Sequence, residues 1–177
     1  MRSNTTSWLP VIVYTLAALF LCYEMSLQAA VGVMTQQLMY DFSITAKGVG
    51  WMHAGYFVAY TAMQIPAGVL FDRFCTRNLI CLAILCCTIG NLIFAMSLTP
   101  WVAALGRFIE GFGSAFAFIG TLVIAAQWFE NKRFALLVGI AQALAAIGAM
   151  SAGAPLALAI AEWGWRQTLM TLSGVGG

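Results

Sequence analysis

The sequence is short of charge. Only 8% of its 177 residues are Asp, Glu, Lys or Arg, where soluble domains carry about 25%, so a water-facing surface of ordinary composition cannot be built from it. It has a single histidine and six scattered carboxylates, which gives no convergent nucleophile and base and no metal cluster, so catalysis is the weakest reading and no cofactor is expected. A net charge of +2 without a basic run offers nothing to nucleic acid. Low-complexity tracts and linkers are missing too. The polar breaks around Asn131 to Arg133 and Glu162 to Gly164 are too tight to hold a soluble domain. The cysteines do not form a set: Cys75, Cys81, Cys86 and Cys87 follow a loop or lie inside an apolar run, and Cys22 sits among Leu and Phe. They read as small packing residues rather than as disulfides or metal ligands.

What the sequence does have is apolar length. Hydrophobic residues make up 62% of it, with a mean hydropathy of +0.91, and they fall in blocks of roughly 20 or more, enough to cross a ~30 Å hydrocarbon core as helices. The blocks predict an all-α polytopic membrane bundle, one domain over residues 1–177, with spans at 8–37, 49–71, 79–98, 101–129 and 134–161 and an incomplete one at 165–177. The first apolar stretch far exceeds a signal-peptide core of roughly 7–15 residues and is expected to stay attached. Trp8, Trp51, Trp101, Trp128, Trp163 and Trp165 all fall at span ends, as aromatic residues do at membrane interfaces. Arg2, Arg73, Arg77, Lys132 and Arg133 lie on one side, Lys47 and Arg166 on the other. The excess of basic residues predicts a cytoplasmic amino terminus and a cytoplasmic second-to-third loop. A faint internal repeat pairs Pro66 and Asp72 in the second span with Pro155 and Glu162 in the fifth.

Ionisable groups inside hydrocarbon cost at least about 2.5–3.5 kcal/mol each and need a partner, water or a function. Three stand out: Glu24, Arg107 and Glu110. At 1.5 Å per residue, Glu24 lies roughly 21 Å in from Pro10 and Arg107 roughly 9 Å in from Trp101 on the opposite side, which brings the two to one depth. A salt bridge or alternating contact between them is possible, and Glu110, one turn from Arg107, can compete for it. Tyr23 and Gln28 lie beside or one turn from Glu24, and Tyr56, Tyr60 and Gln64 form a stripe at i, i+4, i+8. Together these five predict a polar, substrate-binding cavity. The alternative is a satisfied ion pair that only fixes helix packing. His53, near one end of the second span, could relay protons or simply be solvated.

The stretch GVLFDRFCTR resembles the loop signature of the major facilitator superfamily, GxxxDRxGxR followed by a basic residue. Gly68, Asp72, Arg73 and Arg77 match, while Cys75 replaces the second Gly and Asn78 the last basic residue. The resemblance implies that Gly68 permits close helix approach and that Asp72 and Arg73 gate the transporter, the acid engaging a helix end and cations across the two halves. RFIEGFG is similar to the family's fourth-helix RxxxGxG motif, which implies proton coupling at Arg107 and close packing at Gly111 and Gly113. GWRQT, from Gly164 to Thr168, resembles the opening of the sixth helix. In the fifth span the Gly-rich pattern of family antiporters is not matched: Gly139, Gly148 and Gly153 are followed by Ala154 and Pro155, and Pro155 is expected to kink the helix. That departure counts against a drug antiporter. The tracts YEMSLQAAVGVM, MQIPAGVLFDRF, GSAFAFIGTL and WGWRQTLM resemble the nutrient and amino-acid permeases of intracellular bacteria.

The resemblance implies the amino-terminal half of a secondary transporter in the bacterial inner membrane, working with a carboxy-terminal six-helix half, a small-molecule substrate and protons. Proton-coupled symport of a small polar nutrient such as an amino acid is the leading expectation. A drug or metabolite antiporter and a non-transporting membrane interaction or sensing protein are the alternatives. The topology is testable by cysteine labelling from outside in a background without native cysteines. Position 99 is expected to label and position 76 to stay protected, and the reverse pattern overturns the orientation.

Overall fold

In the computed structural model, which describes residues 8–176, seven α-helices follow one another. They are α1 (Leu9–Phe42), α2 (Ala46–Arg73), α3 (Thr76–Met96), α4 (Pro100–Trp128), α5 (Asn131–Ser151), α6 (Ala154–Trp163) and α7 (Trp165–Gly176). The all-α polytopic bundle expected from composition is what the chain forms, and five helical stretches are long and apolar enough to cross a membrane, α5 and α6 counting as one. Arg2, which contributed to the charge-based orientation, lies outside the described residues.

Local chemistry sets the helix ends. The Thr45 and Thr99 hydroxyls accept the backbone N–H groups of Gly48 and Val102, each at 3.4 Å, and cap α2 and α4. Pro10 and Pro100 sit in first turns, where a missing N–H costs nothing. Ser43, with φ 52°, closes α1 in the left-handed conformation. α1 runs five residues past the expected end at Gln37, because Leu38 and Phe42 are buried and keep the helix packed beyond its last apolar block. Pro66 leaves α2 continuous. Pro155 does more than kink its span. The helix stops at Ser151 and restarts at Ala154, since proline offers no N–H to the Ser151 carbonyl and its ring crowds it. The Gly148 carbonyl at the break accepts the hydroxyls of Ser151, at 2.6 Å, and of Ser26 from α1, at 2.8 Å.

α4 is the centre of the bundle: 61% of its apolar window is buried, against 17–39% for the other spans. Glycines let neighbours close on it. A Cβ on Gly106 would stand 2.6 Å from the Phe94 nitrogen, and one on Gly90 2.7 Å from the Gly106 carbonyl oxygen, so α3 and α4 touch backbone to backbone. Gly111 faces the Tyr56 backbone of α2, and Gly113 faces the Ala83 carbonyl and Cys87 of α3. On the far side Gly148 of α5 lies against the Cys22 backbone of α1. Two main apolar cores result. One gathers Leu27, Met34, Leu38, Phe94, Trp165 and Leu169 towards the α1–α2 loop. The other gathers Phe20, Phe71, Leu79 and Phe116 towards the α2–α3 loop.

Five of the six indoles are exposed near helix ends, from 43% at Trp128 to 85% at Trp101. Trp165 departs from that pattern. It is 3% exposed and packs against Phe42 and Phe94, while Asp41 accepts its indole N–H at 2.8 Å.

The close approaches predict that Gly148→Leu, which has backbone on its open side, destabilises the bundle by about 1–3 kcal/mol or more. Gly139→Ala, with nothing within 4 Å of the new methyl, is expected to be neutral or stabilising by up to about 1 kcal/mol. Unfolding of the two variants in lipid nanodiscs checks the contrast, and equal stabilities overturn the packing argument.

Candidate functional site

Between the two cores the bundle encloses a charged cluster. Glu24 of α1, Arg107 and Glu110 of α4 and Tyr56 of α2 are each no more than 1% exposed. α4 presents Arg107 and Glu110 one turn apart on its inner face, and the glycine at 111 lets α2 come close enough for Tyr56 to reach between α1 and α4.

Arg107 Nη1 donates to Glu110 Oε2 at 2.7 Å and to the Leu27 carbonyl at 3.5 Å. Nη2 meets His53 Nδ1 at 3.4 Å. The guanidinium also stacks over the rings of Tyr56 and Phe94, at 4.8 and 5.5 Å from their centroids. The competing acid of the sequence reading is therefore the one that holds Arg107 in this conformation. Glu24 instead accepts the Tyr56 hydroxyl, which in turn accepts Gln28 Nε2 at 3.2 Å. Glu24 Oε2, Glu110 Oε1 and Arg107 Nε find no hydrogen-bond partner among the described residues.

The five residues expected to line one polar cavity are distributed. Tyr56 is buried in the cluster and Tyr60 stacks on it at 6.1 Å. Tyr23 turns away, its hydroxyl donating to the Leu172 carbonyl of α7 at 3.0 Å. Gln64 is half-buried on α2, two turns beyond Tyr56. Of the five, Gln28 lines a cavity of about 420 Å³ between α1 and α2, which it shares with His53, Thr35, Val49 and Phe57.

Asp72, Arg73 and Arg77 are exposed around the α2–α3 turn, and no ion pair joins them to the described residues. Asp72 does not cap α3, whose first turn receives no side-chain acceptor. A Cβ on Gly68 would meet nothing within 4 Å among the described residues, so the close approach that the resemblance implies is not made by a helix of this bundle. Pro155 is exposed beside the break in the fifth span and lines a cavity with Ser26 of α1 and Leu172 of α7. At the α4–α5 turn the Lys132 ammonium, 2.7 Å from Glu130, holds that carboxyl below its usual range, and full exposure leaves the pair little energetic weight.

Sequence reasoning did not find two further polar sites. Asn91 is buried on α3 and donates to the Leu169 carbonyl at 3.1 Å and the Ser173 hydroxyl at 2.7 Å, tying α3 to α7. Arg166 caps the end of α3 through the carbonyls of Ala95, at 3.1 Å, and Ser97, at 2.5 Å, and lies 3.7 Å from Asp41. An asparagine inside an apolar run was the available signal for the first, and the tryptophan–arginine pair for the second.

Comparison with known proteins gives a coherent answer. The family model for the Major Facilitator Superfamily matches residues 16–177. A multidrug resistance protein B homolog of Mycobacterium tuberculosis is 30% identical over 149 residues, covering 82% of this chain and 27% of that protein. A methylenomycin A resistance protein of Bacillus subtilis is 24% identical, covering 82% of this chain and 32% of that protein. The chain thus spans about a third or less of the curated relatives it matches. Among solved structures, a bacterial homolog of the human lysosomal transporter Spinster, inward-facing and unoccupied, superposes with a TM-score of 0.82 at 17% identity, over 98% of this chain and 42% of that one. The branch of nutrient permeases suggested by the sequence tracts finds no support among these relatives, whose descriptions concern drug resistance.

Because the Arg107–Glu110 pair is fully enclosed, breaking it is costly. Arg107→Met is expected to lower stability by about 3–5 kcal/mol, and Arg107→Met combined with Glu110→Leu to recover most of that loss. Equal losses in the single and the double variant, read by unfolding in nanodiscs, sink the pairing.

Proposed function

Because the chain belongs to the major facilitator superfamily, we propose that it supplies the amino-terminal half of a proton-coupled, alternating-access exporter of small amphipathic molecules, working with a carboxy-terminal six-helix half. The observation that carries the coupling is a charge count: two carboxylates and one guanidinium are buried inside an apolar bundle, the guanidinium paired with Glu110. With all three ionised one negative charge is left over in hydrocarbon, and one bound proton removes it. Glu24 is the acid that takes the proton, since Glu110 already holds Arg107 and the side-chain donor to Glu24 is a neutral phenol.

Protonation of Glu24 removes its pull on Arg107 across the α1–α4 contact, and its loss restores that pull, so proton occupancy biases the packing of α1 against α4. The exposed apolar faces of α2 and α5, with Phe57, Val58, Ile65, Leu136, Ile140 and Ile147, are the surfaces that meet the other half. Asp72, Arg73 and Arg77 lie at the rim of that contact, where they gate it. In this reading the α2–α3 loop is cytoplasmic and the membrane is the bacterial inner membrane, as the excess of Lys and Arg on that side supports. Export rather than nutrient import is favoured by the drug-resistance descriptions of the relatives, although the fifth span lacks the Gly-rich antiporter pattern.

The test uses the transporter assembled from both halves in inverted vesicles, with a fluorescent lipophilic cation as probe. Glu24→Gln mimics the protonated acid. It is expected to keep exchange of probe down its own gradient and to lose accumulation driven by a pH gradient. Full gradient-driven accumulation by that variant removes Glu24 from the mechanism.

A further inference from the structure

The charge count leaves His53 unexplained. It is the only histidine of the sequence, and it sits at the boundary between the cluster and open space. One face of the ring lies against Tyr56, stacked at 5.8 Å, and Phe57 meets it edge-on at 5.0 Å. The side chain is half-buried and lines the 420 Å³ cavity between α1 and α2 together with Gln28 and Thr35. Its Nδ1 points the other way, 3.4 Å from Arg107 Nη2.

That contact fixes the state of the ring. A guanidinium has only donors, so Nδ1 must offer its lone pair, which puts the one ring proton on Nε2 and makes the imidazole neutral. A second proton can add only at Nδ1, the atom Arg107 occupies. It would set N–H against N–H and two cations side by side. Proton binding at His53 and the His53–Arg107 contact therefore exclude each other.

We propose that His53 is a proton-operated latch on Arg107: neutral, it accepts from the guanidinium and holds it beside Glu110; protonated from the cavity, it releases the guanidinium toward Glu24. The charged and titratable groups around it are Arg107 and, behind it, Glu110 on α4, Glu24 on α1 through the Tyr56 hydroxyl, and Tyr56 on its own helix. The freed guanidinium has somewhere to go, because Glu24 Oε2 is buried without a partner among the described residues. The inference rests on the proton-sharing reading of Glu24 and Glu110 and adds a cavity-facing group that decides which of them Arg107 serves. His53 is a positioning residue in this scheme, acting through Arg107.

A single histidine makes the test direct. The chain, labelled with ¹⁵N-histidine and held in lipid nanodiscs, gives one imidazole whose two nitrogen shifts report tautomer and charge. Near neutral pH the wild-type ring is expected to be almost wholly the Nε2–H tautomer with Nδ1 accepting a hydrogen bond, and to pass to imidazolium on acidification. In the Arg107→Met/Glu110→Leu double variant, which leaves no buried carboxylate unpaired on α4, the ring is expected to become a mixture of tautomers and its titration midpoint to shift by about one pH unit or more. A wild-type ring protonated at Nδ1 overturns the latch without recourse to any variant. So does an identical tautomer and midpoint with and without Arg107. Neither outcome touches the role of Glu24, which stands or falls on the accumulation measurement, and loss of that role leaves the imidazole measurement intact.

Discussion

One guanidinium and two carboxylates buried together, closed off from water, are the constraint around which the rest of the bundle is arranged. Arg107 cannot lose its charge and Glu24 and Glu110 cannot both keep theirs at low cost, so the helices that carry them must approach closely enough to share bonds. The glycines at 90, 106 and 111 allow that approach by letting α2 and α3 press onto α4. The two apolar cores above and below then seal the cluster. Replacing the whole cluster by apolar side chains of similar volume is expected to cost little stability, whereas removing one partner leaves a buried charge uncompensated.

The fold was legible because its signals are long. Apolar blocks, end-placed tryptophans and basic loops act over whole spans, and one misplaced residue does not disturb them. The depth argument brought Glu24 and Arg107 to the same level, yet depth along two helix axes does not give rotation about them. Rotation decides that Glu110 rather than Glu24 holds Arg107 and that Tyr56 intervenes. The same limit explains the scattered cavity residues: Tyr23 follows Glu24 in depth but turns some 100° away around the helix, towards α7.

Other elements were readable only in part because their partners come from distant sequence. Trp165 looks interfacial by position and is buried against Phe42 and Phe94, its N–H held by Asp41, 124 residues earlier. Gly68 carries a family signature whose packing role depends on what meets the open side of α2. Pro155 announces a disturbance of the fifth span. There the helix stops at Ser151, whose carbonyl the proline leaves without its donor, and Ser26 of another helix donates to the last turn at Gly148.

That interruption has a local consequence. Ser26 and Ser151 both lie within hydrogen-bond reach of the Gly148 oxygen and, 2.5 Å apart, of each other, so with one proton apiece only one of them need donate to the carbonyl at a time. A hydroxyl is a rotor, so either one can donate to the carbonyl while the other turns toward its neighbour, and that oxygen keeps a donor in either arrangement. The break thus carries its own donors within an apolar run, where a carbonyl without one would be costly.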